Sequence, residues 1–277
     1  RGLVWVIGLS PFALYRDYGA AERRALRAKV ERLQELRPAL LAILFDDMPG
    51  EQPDLAGRQA EIVADVCHWA PQVQVLVCPT YYSYDPVLPR YFGAMPGDYW
   101  RQLGRELPGR VAVFWTGNRV CSETVAAADI AAIYAELQRP LVLWDNYPVN
   151  DGAVRSRFLY LQPLAGRERA APGQLAGHLC NSMNQGLLSL PALAGLAALY
   201  GRDPADDRWL ESALGAATWR QLGQHSSEFR EAGLDGMGPQ RCAELAACYA
   251  GLPGPAASEV AGWLRGEYTF DPACLTD

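Results

Sequence analysis

Six short apolar runs recur along the first two thirds of this 277-residue chain: "LVWVIG" at 3–8, "LAILFD" at 41–46, "VQVLVC" at 73–78, "VAVFWT" at 111–116, "PLVLWD" at 140–145 and "GHLCNS" at 177–182. Continuous apolar strands of this kind belong to a parallel sheet covered on both faces, because a half-solvated strand would alternate. Helical patterns lie between them, at 20–37, 57–70 and 122–139, the last opening on Ser122 as a capping hydroxyl. The runs start 29 to 38 residues apart, close to the βα unit of an eightfold barrel. The pattern therefore predicts an α/β fold of the TIM (β/α)8 type. Only six strands precede residue 182, so on this reading the first two βα units are absent from the chain. A doubly wound open sheet, which needs no missing strands, is the alternative. The barrel is expected over residues 1–202. The segment 203–277, with "DPADDRWLESAL" opening on acids suited to a helix N-terminus, is expected to be a small helical appendage with a packing role or a homodimer contact.

Composition narrows the function. The net charge of −6 supplies no basic surface for phosphates, which argues against nucleic acid or an anionic membrane as partner. No apolar run approaches the length of a membrane span. Seven scattered cysteines without a CxxC pair read as free thiols of a reducing compartment, which favours the cytoplasm. Three dispersed histidines offer no zinc motif. Residue 1 is Arg and leads almost at once into a strand, so the natural amino terminus is expected to lie outside this sequence.

In a barrel the chemistry collects where strands end. Here those ends carry Asp46-Asp47, "PTYYSYD" at 79–85, "TGN" at 116–118, "DNYPVND" at 145–151, and Asn181 with Asn184 and Gln185. Any one of these also reads as a turn or cap; five together point to a site. Aromatics beside acids and amides suit a sugar, and Tyr81, Tyr82, Tyr84, Trp115 and Trp144 are placed to contribute, with core packing the competing role for Trp115. Adjacent carboxylates hinder each other's ionisation, so one of Asp46 and Asp47 should have a raised pKa. Side chains from one strand end reach the substrate from one side, whereas ordinary glycosidases flank the scissile bond with two carboxyls. The arrangement fits substrate-assisted hydrolysis, in which the sugar's acetamido oxygen is the nucleophile. A solvated acidic turn or a metal-binding pair is the competing reading of the two aspartates.

"FDDMPG", "CPTYYSYDP", "FWTGNRVCSE", "LWDNYPVND" and "NSMNQG" resemble, in order and spacing, the motifs of glycoside hydrolase family 84, the protein O-GlcNAcases and bacterial β-N-acetylglucosaminidases. The resemblance covers roughly residues 3–200. It implies a TIM barrel that removes terminal β-linked N-acetylglucosamine from a protein or glycan, with retention, through an oxazoline and without metal or cofactor. By motif position Asp46 would polarise the acetamido group and Asp47 would be general acid and base. Tyr82 would bond the acetamido oxygen, Trp144 and Asn146 would form the N-acetyl pocket, and Asp151 and Asn181 would bind outer hydroxyls. The sequence departs from the family pattern at Tyr81, Asn118 and Ser182, and the family's first two strands, with a sugar-binding lysine, have no counterpart. Two further expectations follow from this gap and from the acidic pair: an inactive sugar-binding barrel, and a metal-dependent hydrolase using both aspartates as ligands.

Overall fold

A computed structural model describes residues 4–12, 14–202, 208–268 and 270. Six strands lie in the first two thirds of the chain, β1 (Val6–Leu9), β2 (Leu40–Leu44), β3 (Gln74–Cys78), β4 (Ala112–Trp115), β5 (Leu141–Asp145) and β6 (Leu175–Cys180); helices separate the first five, while only a 3-10 turn at Arg155–Arg157 stands between β5 and β6 among the described residues. The helices are α1 (Ala20–Glu35), α2 (Leu55–Trp69), α3 (Val87–Phe92), α4 (Tyr99–Glu106) and α5 (Ala127–Leu137), followed by α6 (Leu190–Leu199), α7 (Arg208–Leu214), α8 (Ala216–Glu231), α9 (Gly233–Ala250) and α10 (Pro255–Leu264). One sheet contains all six strands in the order β1-β2-β3-β4-β5-β6. The pairs from β1 to β5 are parallel, with Val6 opposite Leu40 and Leu40 opposite Gln74. A doubly wound sheet would reverse its order at a switch point. Here each strand is laid beside its predecessor, which is barrel-type winding, a half-barrel of parallel strands. β1 and β6 are its two edges.

The chain divides into two compact units. The first comprises residues 1–120, 125–144 and 170–179 and holds most of the sheet with α1 to α5. Its strands are buried as their composition demands: Leu41, Ile43, Val75, Val77, Val113 and Leu141 are fully enclosed. α2 turns Ile62, Val63 and Val66 inward, while α1 buries only Leu26 and Val30 and ties its polar face to α2 through Arg23 with Glu61 and Asp65. α4 meets the end of α5 at Gly104, where a Cβ would overlap the Leu137 carbonyl.

The second unit comprises residues 121–124, 145–169 and 180–277. Its core joins Leu159, Leu188, Leu222, Phe229, Tyr249 and Trp263, with Trp263 Nε1–H donating to the Ser156 carbonyl at 3.0 Å. α9 is broken at Gly238, which adopts φ 73° ahead of Pro239. The acidic helix start expected at 203–207 lies outside the described residues, as does Cys274; Cys67, Cys78, Cys180, Cys242 and Cys248 are free thiols. Among the described residues no helix is long and apolar enough to cross a membrane.

Ser122 does not cap a helix. α5 begins at Ala127, where the Asp129 carboxylate accepts the Ala126 N–H at 3.0 Å, and the Ser122 carbonyl is engaged by Arg167 instead.

Candidate active site

The end of β2 is fixed before the acidic pair begins. Phe45 donates its N–H to the Cys78 carbonyl at 2.8 Å, and its own carbonyl accepts the Thr80 hydroxyl at 2.9 Å. Beyond the pair Met48 is fully buried, and Gly50 donates to the Phe92 carbonyl at 2.6 Å. Between these anchors the two aspartates differ sharply. Asp46 is largely enclosed, and its Oδ1 makes no hydrogen bond among the described residues. Asp47 is exposed and takes a left-handed backbone, φ 55°, a conformation that Asp tolerates better than most residues. Burial, and then the neighbouring Asp47 charge, push the Asp46 carboxyl up to about 6. The raised member of the pair is thus the enclosed one. The Cys78 thiol at the end of β3 is pushed well up, chiefly by burial and also by both aspartates.

After β3, Tyr81 and Tyr82 are both buried. Tyr81 donates its hydroxyl to the Gly93 carbonyl at 2.7 Å and its carbonyl receives Trp100 Nε1–H, so both of its polar ends are engaged within the core. The Tyr82 carbonyl accepts the Thr116 N–H at 3.0 Å, which ties the ends of β3 and β4 together. Trp115 is also core, with Tyr84 packed edge-on against it and against Trp100. Trp144, near the end of β5, is half-buried and meets the Phe114 ring edge-on at 5.1 Å. The first unit therefore carries Asp46, Asp47, Tyr82 and Trp144 on the strand ends where the sequence places them.

The amide-bearing residues belong to the second unit. Asn181 donates its N–H to the Asp145 carbonyl at 2.8 Å and its side-chain amide to Asn146 Oδ1 at 3.1 Å, so these two predicted residues touch. Asp151 stands exposed in the same loop. Under it Asn150 is buried, donating to the Phe158 carbonyl and to Gln185 Oε1 while accepting the Asn184 N–H at 2.9 Å. This stitches the "YPVND" loop to the "SMNQG" loop.

Arg167 is a residue that motif reading missed. Its Nε and Nη2 grip Asp145 at 2.7 Å each, and its remaining donors reach the carbonyls of Ser122, Glu123 and Ala165. Both partners are sealed from solvent. A lone arginine 22 residues downstream in a loop carries no local signal. A cavity of about 430 Å³ opens beside it, lined by Asn146, Tyr147, Tyr160, Arg155 and Arg230. Among the described residues no group of three or more His, Cys, Asp or Glu side chains is arranged to hold a metal ion.

Chemically, the first unit offers an enclosed, high-pKa carboxyl next to an exposed one, and the second offers ordered amides. Comparison with known proteins gives consistent results. A family model described as beta-N-acetylglucosaminidase matches residues 3–231. The protein O-GlcNAcases of Rattus norvegicus and Mus musculus are each 26% identical over 188 residues, 65% of this chain and 20% of theirs. The chain thus spans about a fifth of the length of these curated relatives. An O-GlcNAc hydrolase mutant of Thermobaculum terrenum superposes with a TM-score of 0.69 at 23% identity, covering 94% of this chain and 65% of that one. CpGH84B superposes at 0.64 and 19% identity, covering 93% and 52%. At these identities the structures speak for the fold alone.

Proposed function

This chain belongs to the β-N-acetylglucosaminidase family of glycoside hydrolases, glycoside hydrolase family 84, and from that premise we propose that it carries the site of a retaining hydrolase of terminal β-linked N-acetylglucosamine on proteins or glycans. The observation that carries the mechanism is the enclosed Asp46, with its unpartnered Oδ1 and its pKa of about 6. At neutral pH such a carboxyl is more basic than an ordinary aspartate. It is matched to accept the acetamido N–H as that proton becomes acidic. The acetamido oxygen attacks the anomeric carbon and the glycosidic C–O bond breaks. Asp47 gives its proton to the leaving oxygen, then takes one from the water that opens the oxazoline. Exposure of Asp47 leaves it access to both leaving group and water. By motif position Tyr82 is assigned to the acetamido oxygen, Trp144 and Asn146 to the N-acetyl group, and Asp151 and Asn181 to outer hydroxyls.

The six strands correspond, on this reading, to strands three to eight of a closed barrel, with the first two βα units outside this chain and the C-terminal helices offering a homodimer contact. The open edge of β1 and the coverage of 65% of the Thermobaculum terrenum hydrolase support the first part. That open edge also favours a second reading, in which this chain alone binds the sugar without turning it over.

Release of fluorophore from methylumbelliferyl N-acetyl-β-glucosaminide tests the proposal. Turnover by the chain, reduced at least about a hundredfold in Asp47→Asn, is expected. A folded chain with no turnover, or an Asp47→Asn variant as fast as wild type, overturns the assignment for this chain.

A further inference from the structure

Gln59 is a fully buried amide on α2, a helix whose other buried positions are all apolar. Burying an amide costs stability unless its polar atoms are bonded, so its retention calls for a reason beyond packing. Its bonds form a directional circuit. The Thr80 N–H donates to the Tyr99 hydroxyl at 3.2 Å, and that hydroxyl donates to Gln59 Oε1. Gln59 Nε2–H donates to Thr80 Oγ1 at 2.8 Å, and the Thr80 hydroxyl donates to the Phe45 carbonyl at 2.9 Å. All three side chains are enclosed. The circuit ends on the carbonyl of the peptide that bears Asp46. The other side of Phe45 is held by Cys78.

We propose that Gln59 is a positioning residue: through Tyr99 and Thr80 it locks the Phe45–Asp46 peptide and thereby aims the Asp46 carboxyl, without touching substrate. The consequence for turnover rests on the function proposed above. Asp46 Oδ1 makes no hydrogen bond among the described residues, and the hydrogen bond that acts on its carboxyl comes from its own backbone, so its direction depends on the backbone that carries it. Among the described residues Asp47 and Cys78 are titratable groups coupled to Asp46 by charge, and neither belongs to the circuit.

The test is Gln59→Met, close in volume and unable to bond, beside Thr80→Ser, which keeps the hydroxyl, and Val63→Ala, which weakens the same helix without touching the circuit. Two readouts are taken: the Asp46 titration midpoint by carboxyl carbon NMR, assigned with Asp46→Asn, and the split of kcat from KM on the methylumbelliferyl substrate. In Gln59→Met the loosened turn admits water, the Asp46 midpoint falls from about 6 towards ordinary aspartate, and kcat drops at least about tenfold with KM little changed. Thr80→Ser keeps wild-type values. Val63→Ala lowers the melting temperature and leaves the midpoint in place. A Gln59→Met protein with an unmoved Asp46 midpoint, or a Val63→Ala protein with the same shift, overturns the proposal. The NMR readout decides it even if the wild-type chain shows no turnover, an outcome that would count against the proposed reaction and not against the circuit.

Discussion

Asp46 and Asp47 are neighbours in sequence and opposites in environment. A left-handed residue at 47, with Met48 driven into the core just after it, leaves one carboxyl enclosed and turns the other to solvent. That a strand should end in a coupled acidic pair was legible in "LLAILFDDMPG". Which member would be perturbed was not, because the answer lies in one backbone angle and in where Met48 finds its pocket. The raised pKa has a cost that can be measured. Asp46 binds its proton more tightly folded than unfolded, so its contribution to stability is fully present below the unfolded value near 4 and is lost as the pH rises through about 6. Replacing it by Asn, which never ionises, should therefore stabilise the protein at pH 7 to 8 by on the order of 1–3 kcal/mol. The gain should shrink as the pH is lowered towards 4. Urea unfolding of wild type and Asp46→Asn across this range checks it; an advantage independent of pH would show that the carboxyl is not strained by its burial. Activity should follow the opposite course in the wild type, falling as acid protonates Asp46, with the acidic limb of kcat/KM near pH 6.

Elements were legible to the extent that their signal is local. The runs at 41–46, 73–78, 111–116 and 140–145 are nearly all apolar, and each becomes a strand within a residue or two of its expected bounds. β6 begins two residues earlier than its run and β1 three later, since "LAGHLC" and "VIGL" are edge strands with mixed exposure and a weaker pattern. The start of α5 was misplaced by five residues for a different reason. Ser122 and Glu123 give their carbonyls to Arg167, and that arginine answers the buried Asp145 at the end of β5. Sequence reading sees Asp145 inside a polar motif but cannot see a counter-ion 22 residues away. The pair makes the end of β5 sensitive to one change. Arg167→Met keeps bulk and removes the guanidinium that grips the buried Asp145 and donates to three carbonyls, which should cost about 3–5 kcal/mol. The denaturant midpoint reports this. A loss within experimental error would mean that Asp145 finds water or another partner when Arg167 is gone.

For the whole molecule the sequence indicated six strands and a parallel sense, which β1 to β5 show, and an expected gap of two βα units before the first strand, without saying what covers that edge. Strands buried on both faces announce themselves by composition; the pairing of an edge does not, because a backbone N–H row looks the same in sequence whether it meets a neighbour or water. β1 is such an edge, with Trp5, Val6 and Phe12 exposed along or beside it. Natural edge strands are usually blunted by a lysine, a proline or a bulge, and the strand "VIGL" has none of these devices. An unblunted apolar edge recruits another strand, from further chain that continues the barrel or from a second copy. This chain on its own should consequently self-associate at micromolar concentration, and Val6→Lys, which places a charge on the open strand, should return it to monomer in sedimentation velocity without altering its circular dichroism. Turnover should be unchanged by that substitution if the pocket is complete within one copy, and lost if association is what completes it. A wild-type chain that sediments as a monomer, indistinguishable from Val6→Lys, would mean that the β1 edge is protected in solution by the chain itself.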